Sequence, residues 1–415
     1  MPIFLVYLEE IRLKSAYQYQ YRMKQVPVPA GKSPVNIALL LLAAYFILCC
    51  NSPRHITASE KPVSISGLKL LGEYDLPHNK PFKGTTIGGL SGIDYDSGKD
   101  MYYMISDDRS AVNPARFYSA RIFFTEKGID SVQFIDVTTL LQPNGNPYPN
   151  AKTDPSHTPD PEAMRLNQKT HQLIWSSEGE RIVNKKDTVL EDPAVDIIDL
   201  KGKFVDSMRL PSLLKMHVTE NGPRQNGVFE GLTFADNYQT LFVNVEEPLY
   251  EDGPRADLTD NNPWIRILKF DLGSKINTAQ YAYKLDPVAH VPNPPDAFKI
   301  NGIPDILWIG NNRLLVIERS FSTGNPACTI KVFLADISEA TNIINNNSLK
   351  TTTDFKPISK KLLLNMDSLG IYIDNIEGVT LGPELPGGRK TLLFVSDNNF
   401  SARQKTQFLL FEVKE

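Results

Sequence analysis

The segment Phe229-Glu-Gly-Leu-Thr233, followed after a polar turn by Leu241-Phe-Val-Asn-Val-Glu246, contains the pattern that decides the fold. The first part places an acidic residue at the start of an apolar stretch, and the second is an apolar run that ends in acid. Further along, Trp264–Asp271 alternates apolar and polar residues, and a second strand-like stretch follows at residues 279–285. Short runs of this kind between turn residues are typical of antiparallel strands. This unit therefore predicts four short strands.

The same unit recurs along the chain at an even spacing. Its opening segments are Gly89-Leu-Ser-Gly-Ile-Asp94, Pro161-Glu-Ala-Met-Arg165, Phe229-Glu-Gly-Leu-Thr233, Ile303-Pro-Asp-Ile-Leu307 and Ile376-Glu-Gly-Val-Thr380. Their anchor positions 89, 162, 230, 304 and 377 lie 73, 68, 74 and 73 residues apart. An apolar run ending in Asp or Glu follows each segment. Repetition of one all-β unit around an axis is the architecture of a β-propeller.

We expect an all-β fold, a single β-propeller of about five four-stranded blades over residues 65–415. The last unit offers only three strands, the third at residues 407–413, and residues 68–76 can supply the fourth. Pairing the N-terminal and C-terminal strands would close the ring and leave no open sheet edge. Because this closing strand is inferred, six blades are the alternative.

Composition excludes several classes of protein. The chain has 415 residues, 41% of them hydrophobic, which suffices for a large core. Three cysteines exclude a disulfide scaffold. The formal net charge of −4, without a basic block, argues against a nucleic-acid partner. The expected partner is a small molecule, and the expected state is a monomer.

Residues 1–50 are predicted to be an N-terminal extension that carries an export signal. The apolar run at residues 37–48 is short for a membrane-spanning helix, and it lies between Lys32 and the pair Cys49-Cys50. This arrangement looks like a bacterial lipoprotein processing site, with Cys50, or alternatively Cys49, as the lipidated residue. An uncleaved anchor is the other interpretation. Residues 51–64 are the predicted linker. We expect a cell-envelope lipoprotein or a secreted protein whose only membrane contact is this N-terminal segment.

In a propeller, the start of each first strand and the end of each second strand lie at the same end of the channel. Acidic residues occupy both positions. They are Glu162, Glu230, Asp305 and Glu377 at strand starts, and Asp107, Asp108, Glu178, Glu180, Glu246, Glu247, Glu318 and Asp397 at strand ends. So many carboxylates repel each other unless positive charge lies among them. Arginines of the same segments, such as Arg109, Arg181, Arg319 and Arg403, are one source of that charge.

A hard divalent cation is the other source, because it binds carboxylate and carbonyl oxygens in flexible number. The six histidines are scattered outside this set, which argues against zinc and favours Ca²⁺. The structural interpretation, in which the acids accept backbone N–H bonds or pair with arginines of the next blade, stays open. A serine triad is disfavoured: Gly92 follows Ser91 one residue too soon for a nucleophile elbow, and no histidine occupies an equivalent position.

The ordered blocks resemble the phytase-like family of exported bacterial proteins, described by its "esterase-like activity of phytase". The blocks that carry this resemblance are Gly89-Leu-Ser-Gly-Ile-Asp, Ser106-Asp-Asp-Arg109, Asp160-Pro-Glu-Ala163, Ser177-Glu-Gly-Glu-Arg181, Phe229-Glu-Gly-Leu232, Asp374-Asn-Ile-Glu-Gly378 and Ser396-Asp-Asn398. The resemblance covers about residues 65–415. It implies hydrolysis of a phosphate ester, with phytate as one example, by an exported protein.

Under this hypothesis each polar group at the channel mouth has a role. The predicted calcium ligands are Glu162, Glu230, Glu246, Glu377 and Asp397. Arg109 and Arg181 would bind phosphate oxygens and take part in catalysis, with Glu178 as the base. Arg319 and Asn398 complete the predicted substrate-binding set. The alternatives are a calcium-dependent lactonase or ester hydrolase, and a non-enzymatic binding or scaffold lipoprotein.

Overall fold

The strands of residues 62–415, the part of the chain that the computed structural model describes, pair as five separate antiparallel blades. The first four blades follow the chain order. Blade 1 contains Leu90–Asp96, Met101–Ser106, Arg116–Thr125 and Gly128–Thr139. Blade 2 contains Pro161–Asn167, Gln172–Ser177, Ala194–Asp199 and Phe204–Ser207. Blade 3 contains Phe229–Ala235, Thr240–Val245, Trp264–Asp271 and Ile276–Lys284. Blade 4 contains Lys299–Gly302, Ile306–Gly310, Arg313–Ser322, Thr329–Asp336 and Ser359–Asn365.

Blade 5 joins the two ends of the described chain. From the inside outward it contains Asn375–Leu385, Arg389–Asp397, Thr406–Lys414 and Gly67–Leu76. The outermost strand pairs antiparallel with Thr406–Lys414 from Gly67 opposite Lys414 to Leu76 opposite Thr406. This closure confirms the five-bladed propeller, and the six-bladed alternative is wrong.

Small elements lie between the blades. They are the hairpins Pro81–Phe82 with Thr85–Thr86 and Glu180–Val183 with Thr188–Glu191, and the 3₁₀ turns Pro155–His157, Ser212–Leu214 and Met366–Leu369. No helix within residues 62–415 is long and apolar enough to cross a membrane. The predicted export or lipoprotein segment, with Cys49 and Cys50, lies outside the described residues, as does most of the predicted linker.

The core is divided among the blade interfaces, which explains why the strands are apolar on both faces. Successive side chains of a strand point to opposite faces of its sheet. In Thr240–Val245, Leu241 and Val243 pack in a cluster with blade 2, while Phe242 packs in a cluster with blade 4. Equivalent clusters fill the interfaces between blades 1 and 2, 4 and 5, and 5 and 1. Burial between neighbouring sheets therefore holds the ring together.

A buried ion pair lies where the inner strands surround the axis. One guanidinium nitrogen of Arg165, on blade 2, contacts both carboxylate oxygens of Asp305, on blade 4, at 2.8 and 2.7 Å. Asp305 also accepts the N–H groups of Val379 (2.8 Å) and Ile306 (2.9 Å), and Arg165 donates to the Ile93 carbonyl (2.7 Å). We call Arg165 and Asp305 the axial ion pair. Its contacts join blades 1, 2, 4 and 5.

Candidate functional site

A cavity of about 1380 Å³ opens at the end of the channel where the inner strands begin and the second strands end. Both signs of charge line it. Its acidic residues are Asp107, Asp108, Asp160, Glu162, Glu178, Glu180, Glu230, Glu246, Asp374 and Glu377. Its arginines are Arg109, Arg255, Arg319 and Arg403. The repeats thus bring ten carboxyl groups and four guanidinium groups to one mouth.

Bulges at the starts of the inner strands place three of these acids. The pairing between the first two strands shifts register around Glu162 in blade 2, Glu230 in blade 3 and Glu377 in blade 5. A bulge leaves one residue outside the ladder and redirects its side chain. The glycine after Glu230 is required by packing, because a Cβ atom on Gly231 would lie 2.5 Å from the Asp305 Cα atom. A Cβ atom on Gly378, which follows Glu377, would lie 3.0 Å from the Ser91 carbonyl oxygen, so close packing favours glycine at both positions.

Three of the cavity carboxylates form what we call the mouth triad. One carboxylate oxygen from each of Glu162, Glu178 and Glu230 lies within 4.8 Å of the other two. The three residues are only 7%, 4% and 6% exposed, respectively. Glu178 accepts the Val228 N–H at 2.5 Å. The carboxylates of Glu162 and Glu230 accept no hydrogen bond from residues 62–415.

Burial is the main cause that raises the pKa of all three triad carboxyl groups well above the usual range. Mutual repulsion adds to it, since the Glu230 charge raises the pKa of Glu162 and the Glu178 charge raises the pKa of Glu230. Each of these carboxyl groups must therefore either keep its proton or have a cation beside it. The donor set, three clustered carboxylates without histidine or cysteine, suits a hard cation such as Ca²⁺.

A second group shares Glu162 with the mouth triad. Oxygens of Asp107, Asp160 and Glu162 also lie within 4.8 Å of one another. Burial raises the pKa of Asp160 to about 6, although the nearby Arg109 charge lowers it. Burial, followed by repulsion from Asp160, raises the pKa of Asp107. We call these two groups of carboxylates the acidic floor of the cavity. The acidic floor extends from blade 3 through blade 2 to blade 1.

Arg319 neutralises a different part of the mouth. Its guanidinium contacts Glu377, donates to a Glu246 carboxylate oxygen at 2.7 Å and donates to the Asn375 side-chain oxygen at 2.6 Å. Glu246 and Glu377, both predicted metal ligands, thus already have a positive partner. We therefore leave them out of the cation site proposed below.

The other predicted site residues separate into two groups. Arg109 lines the cavity, pairs with Glu180 and donates to the Thr158 carbonyl at 3.2 Å. Arg181 is outside the cavity lining, and its guanidinium donates to the carbonyls of His217 (2.9 Å) and Thr219 (3.2 Å).

Asp397 and Asn398 also lie outside the cavity lining. Asp397 accepts the Asn399 N–H at 2.8 Å, and Asn398 accepts the N–H groups of Gly89 (3.0 Å) and Phe400 (3.1 Å). These bonds shape the loop after the second strand of blade 5.

Two further acids that the sequence assigned to the mouth, Asp305 and Glu318, lie outside the cavity lining and have structural roles. Asp305 belongs to the axial ion pair, so the mouth position predicted for it is wrong. Glu318 accepts the Tyr283 hydroxyl at 2.8 Å and the Lys360 ammonium at 2.5 Å. Ser91 is buried and donates to the Glu162 carbonyl at 2.5 Å, in keeping with its rejection as a nucleophile.

Asp160, Asp374, Arg255 and several apolar residues of blade 4 also line the cavity, although the sequence pattern did not predict them there. Asp160 could have been found from its position two residues before Glu162, since residues separated by two point to the same side of an extended chain.

The ring and its ionic mouth define the class of this protein: an all-β propeller with an acidic cavity at one end of its channel. A sequence model of the phytase-like family, described as "Esterase-like activity of phytase", matches residues 85–400. The chain belongs to this family. Membership indicates a hydrolase.

Solved structures were also compared with the chain. An endo-arabinase from Bacteroides thetaiotaomicron is 12% identical, with 79% of this chain and 95% of that chain covered and a TM-score of 0.41. An exo-β-1,3-galactanase from Phanerochaete chrysosporium is 11% identical, with 83% and 65% covered and a TM-score of 0.41. A gluconolactonase from Xanthomonas campestris is 10% identical, with 78% and 71% covered and a TM-score of 0.32. No curated protein sequence matches the chain significantly.

Proposed function

We propose that the protein hydrolyses phosphate esters at the acidic cavity, with Ca²⁺ held by the mouth triad. The observation that carries this proposal is the set of three buried carboxylates within 4.8 Å of one another, two of which have no hydrogen-bond donor in the described chain. Grouping like charges where burial limits their hydration is costly without a compensating cation. Ca²⁺ takes six to eight oxygen ligands, so three carboxylates leave positions for substrate and solvent oxygens.

When bound, such a cation supplies Lewis-acid chemistry at a phosphoryl oxygen and neutralises the carboxylates that would otherwise repel an anion. The chain's own residues orient the substrate. Arg109 is fixed beside the floor by Glu180, and Arg319 is fixed by Glu246 and Glu377. The Nε atoms of both arginines are buried without a hydrogen-bond partner. Glu178, the base in the sequence-based hypothesis, is assigned to the cation site in this proposal.

Exposed positive charge at the rim supports an anionic substrate. Arg403 is an exposed residue of the cavity lining, and Arg255, also exposed there, pairs with Glu247. Arginine binds phosphate oxygens with two parallel N–H donors, which favours a phosphoryl group over a neutral ester. The lactonase and the binding protein are the alternatives that the experiment must separate.

The test is a hydrolysis panel on the full-length protein, with p-nitrophenyl phosphate, phytate and an aliphatic lactone, in calcium and in excess chelator. We expect calcium-dependent turnover of at least one phosphate ester. The Glu162→Gln variant should lose roughly 100-fold or more of it, because Glu162 belongs to both acidic groups. The Glu339→Gln variant, changed at an exposed surface glutamate, is the matched control.

The other possible outcomes either favour one of the alternatives or contradict the cation site. Turnover of the lactone alone would favour the lactonase. Phosphate-ester hydrolysis that is equally fast in chelator would contradict the cation site. Absence of turnover in both conditions would favour the binding protein.

A further inference from the structure

One side of the cavity differs from the rest, because blade 4 extends above the acidic floor. Its strand Arg313–Ser322 has ten residues, whereas the second strands of blades 1, 2 and 3 have six each. The additional length pairs with Lys299–Gly302, from Lys299 opposite Ser322 to Gly302 opposite Arg319. The inner strand of blade 4 is thus divided in two, and its first part stands over the cavity as half of a two-stranded wall.

The wall presents an apolar surface directly above a charged one. Arg319 and Phe321 are two residues apart and share a face of their strand, and Ile300 is the cross-strand partner of Phe321. All three line the cavity. Phe298 also lines it, and its ring centroid lies 6.2 Å from that of Phe321. We call Phe298, Ile300 and Phe321 the apolar wall.

The opposite face of the same hairpin bonds within blade 4. Asn301 donates to the Glu318 carboxylate at 2.8 Å, and Ser320 donates to the Ile300 carbonyl at 3.3 Å. These contacts fix the hairpin, so the apolar wall is directed to the cavity. Phe298 is nevertheless 55% exposed, which is a large apolar area to leave in water beside an ionic floor.

We propose that the apolar wall is the subsite for an aromatic or aliphatic group of the substrate, whose single anionic ester group lies between Arg319 and the mouth triad. This inference rests on the proposed function and narrows it. The substrate class is a phosphate ester of an apolar or ring-bearing alcohol, as opposed to a polyphosphorylated polyol. Ligand cavities commonly combine such an apolar surface with a few charged groups that fix orientation.

The charges that line the cavity also favour a substrate with a single phosphoryl group. Ten carboxyl groups line it against four arginines, and three of those arginines already pair with glutamates. A substrate with many phosphate groups would place most of its charge against carboxylates without a free cationic partner. A substrate with one phosphoryl group needs only the cation site and the Nε–H group of Arg319, which is buried without a hydrogen-bond partner in the described chain.

The test compares two ligands that differ only in the apolar group and resist hydrolysis, phenylphosphonate and methylphosphonate. Their affinities for the full-length protein are measured by calorimetry in calcium buffer. We expect phenylphosphonate to bind about tenfold more tightly, the effect of burying part of one ring. In Phe298→Ser the preference should fall below about threefold, with the affinity for methylphosphonate unchanged. Phe298 is exposed, so the substitution should leave the unfolding temperature close to that of the wild type.

Phe123→Ser is the matched control, since Phe123 is 42% exposed on the third strand of blade 1 and does not line the cavity. It should keep the tenfold preference. Equal affinities for the two phosphonates in the wild type would overturn this inference and leave the proposed function standing. Equal weakening of both ligands in Phe298→Ser would also overturn it. Failure of both phosphonates to bind, together with no phosphate-ester turnover, would contradict the proposed function itself.

Discussion

Asp305 and Glu230 occupy equivalent repeat positions in neighbouring blades, yet Asp305 is paired with an arginine and Glu230 is not. Asp305 is contacted through both oxygens by Arg165 and accepts two backbone N–H groups. Glu230 has no hydrogen-bond donor in the described chain and lies beside Glu162 and Glu178. Both are almost fully buried. A fully paired buried charge serves the fold, whereas an unpaired cluster open to a cavity indicates a ligand.

The two regions also differ in how burial acts on ionisation. Burial raises the pKa of Asp305 to about 6, and the Arg165 charge and the hydrogen bonds from Arg165, Val379 and Ile306 oppose that rise. At Glu230 burial acts together with repulsion from Glu246, Glu178 and Glu377 to raise the pKa, and the Arg319 charge opposes them. Ionisation of the mouth triad is therefore unfavourable in the folded protein, and a bound cation would favour it.

Breaking the axial ion pair should have the largest effect on stability. Arg165→Met leaves the Asp305 carboxylate buried without its partner, so we expect the free energy of unfolding to fall by about 3–5 kcal/mol. Denaturant unfolding of the full-length protein measures this change. Arg121→Met, at an exposed arginine of blade 1, should change it by less than about 0.5 kcal/mol. A loss equally small in Arg165→Met would contradict the structural role of the pair.

Substitutions in the mouth triad should reduce the stabilisation of the protein by calcium, and should have little effect on its stability in chelator. With calcium at about one hundred times its dissociation constant, the wild type should gain about 2–3 kcal/mol of stability over the protein in chelator. Glu230→Gln should lose most of that gain, because one charged ligand is gone. It should be no less stable than the wild type in chelator, since like-charge repulsion is removed. Thermal unfolding in both buffers measures this, with Glu220→Gln, at an exposed glutamate, as control.

Arg319 shares features with both regions, because it forms ion pairs with glutamates and also lines the cavity. Arg319→Met leaves Glu246 and Glu377 without their cation, so we expect a loss of about 2 kcal/mol in chelator. The same loss of positive charge should raise calcium affinity several-fold. Unfolding and calcium titration of one preparation test both effects. A variant with weaker calcium binding would show that Arg319 supports the cation site instead of competing with it.

Asp196 provides a smaller test of the same electrostatic argument, away from the mouth. Burial raises its pKa from 3.8 to about 6, although the Ser207 hydroxyl, which donates at 2.6 Å, lowers it. As pH rises from 4 to 6, the unfolded chain loses this proton first, so the group's contribution to stability decreases over that window. Asp196→Asn should therefore stabilise the protein by about 1–2 kcal/mol at pH 7 and by almost nothing below pH 4. A gain that is independent of pH would contradict this explanation.

Sequence periodicity was sufficient to predict the ring. The even spacing of the five anchor positions predicted the blade count, and the three-stranded last unit predicted closure by residues 68–76, which the structure places in the strand Gly67–Leu76. Both depend on local patterns that repeat, and repetition averages out the ambiguity of any single strand. The convergence of Glu162, Glu178 and Glu230 follows from the same reasoning, since blade geometry alone brings strand starts and strand ends to one mouth.

Sequence could not distinguish carboxylates with partners from those without. Asp305 and Glu318 occupy the same repeat positions as mouth acids, but their partners Arg165 and Lys360 come from distant segments that no local pattern connects to them. Arg181 follows an acidic strand end as Arg109 does, yet its hairpin directs it to the carbonyls of residues 217–219. The apolar wall was missed because blade 4 divides its inner strand, which the repeat does not predict.

Calorimetric titration of calcium into the chelator-treated, full-length protein tests the central claim most directly. If the unpaired mouth triad is a cation site, binding should be saturable, should be lost in Glu162→Gln and should be retained in Asp196→Asn, whose buried carboxylate lies outside the cavity. Absence of saturable binding in the wild type, or equal binding in Glu162→Gln, would contradict the claim and leave the carboxylates of the mouth as part of the fold.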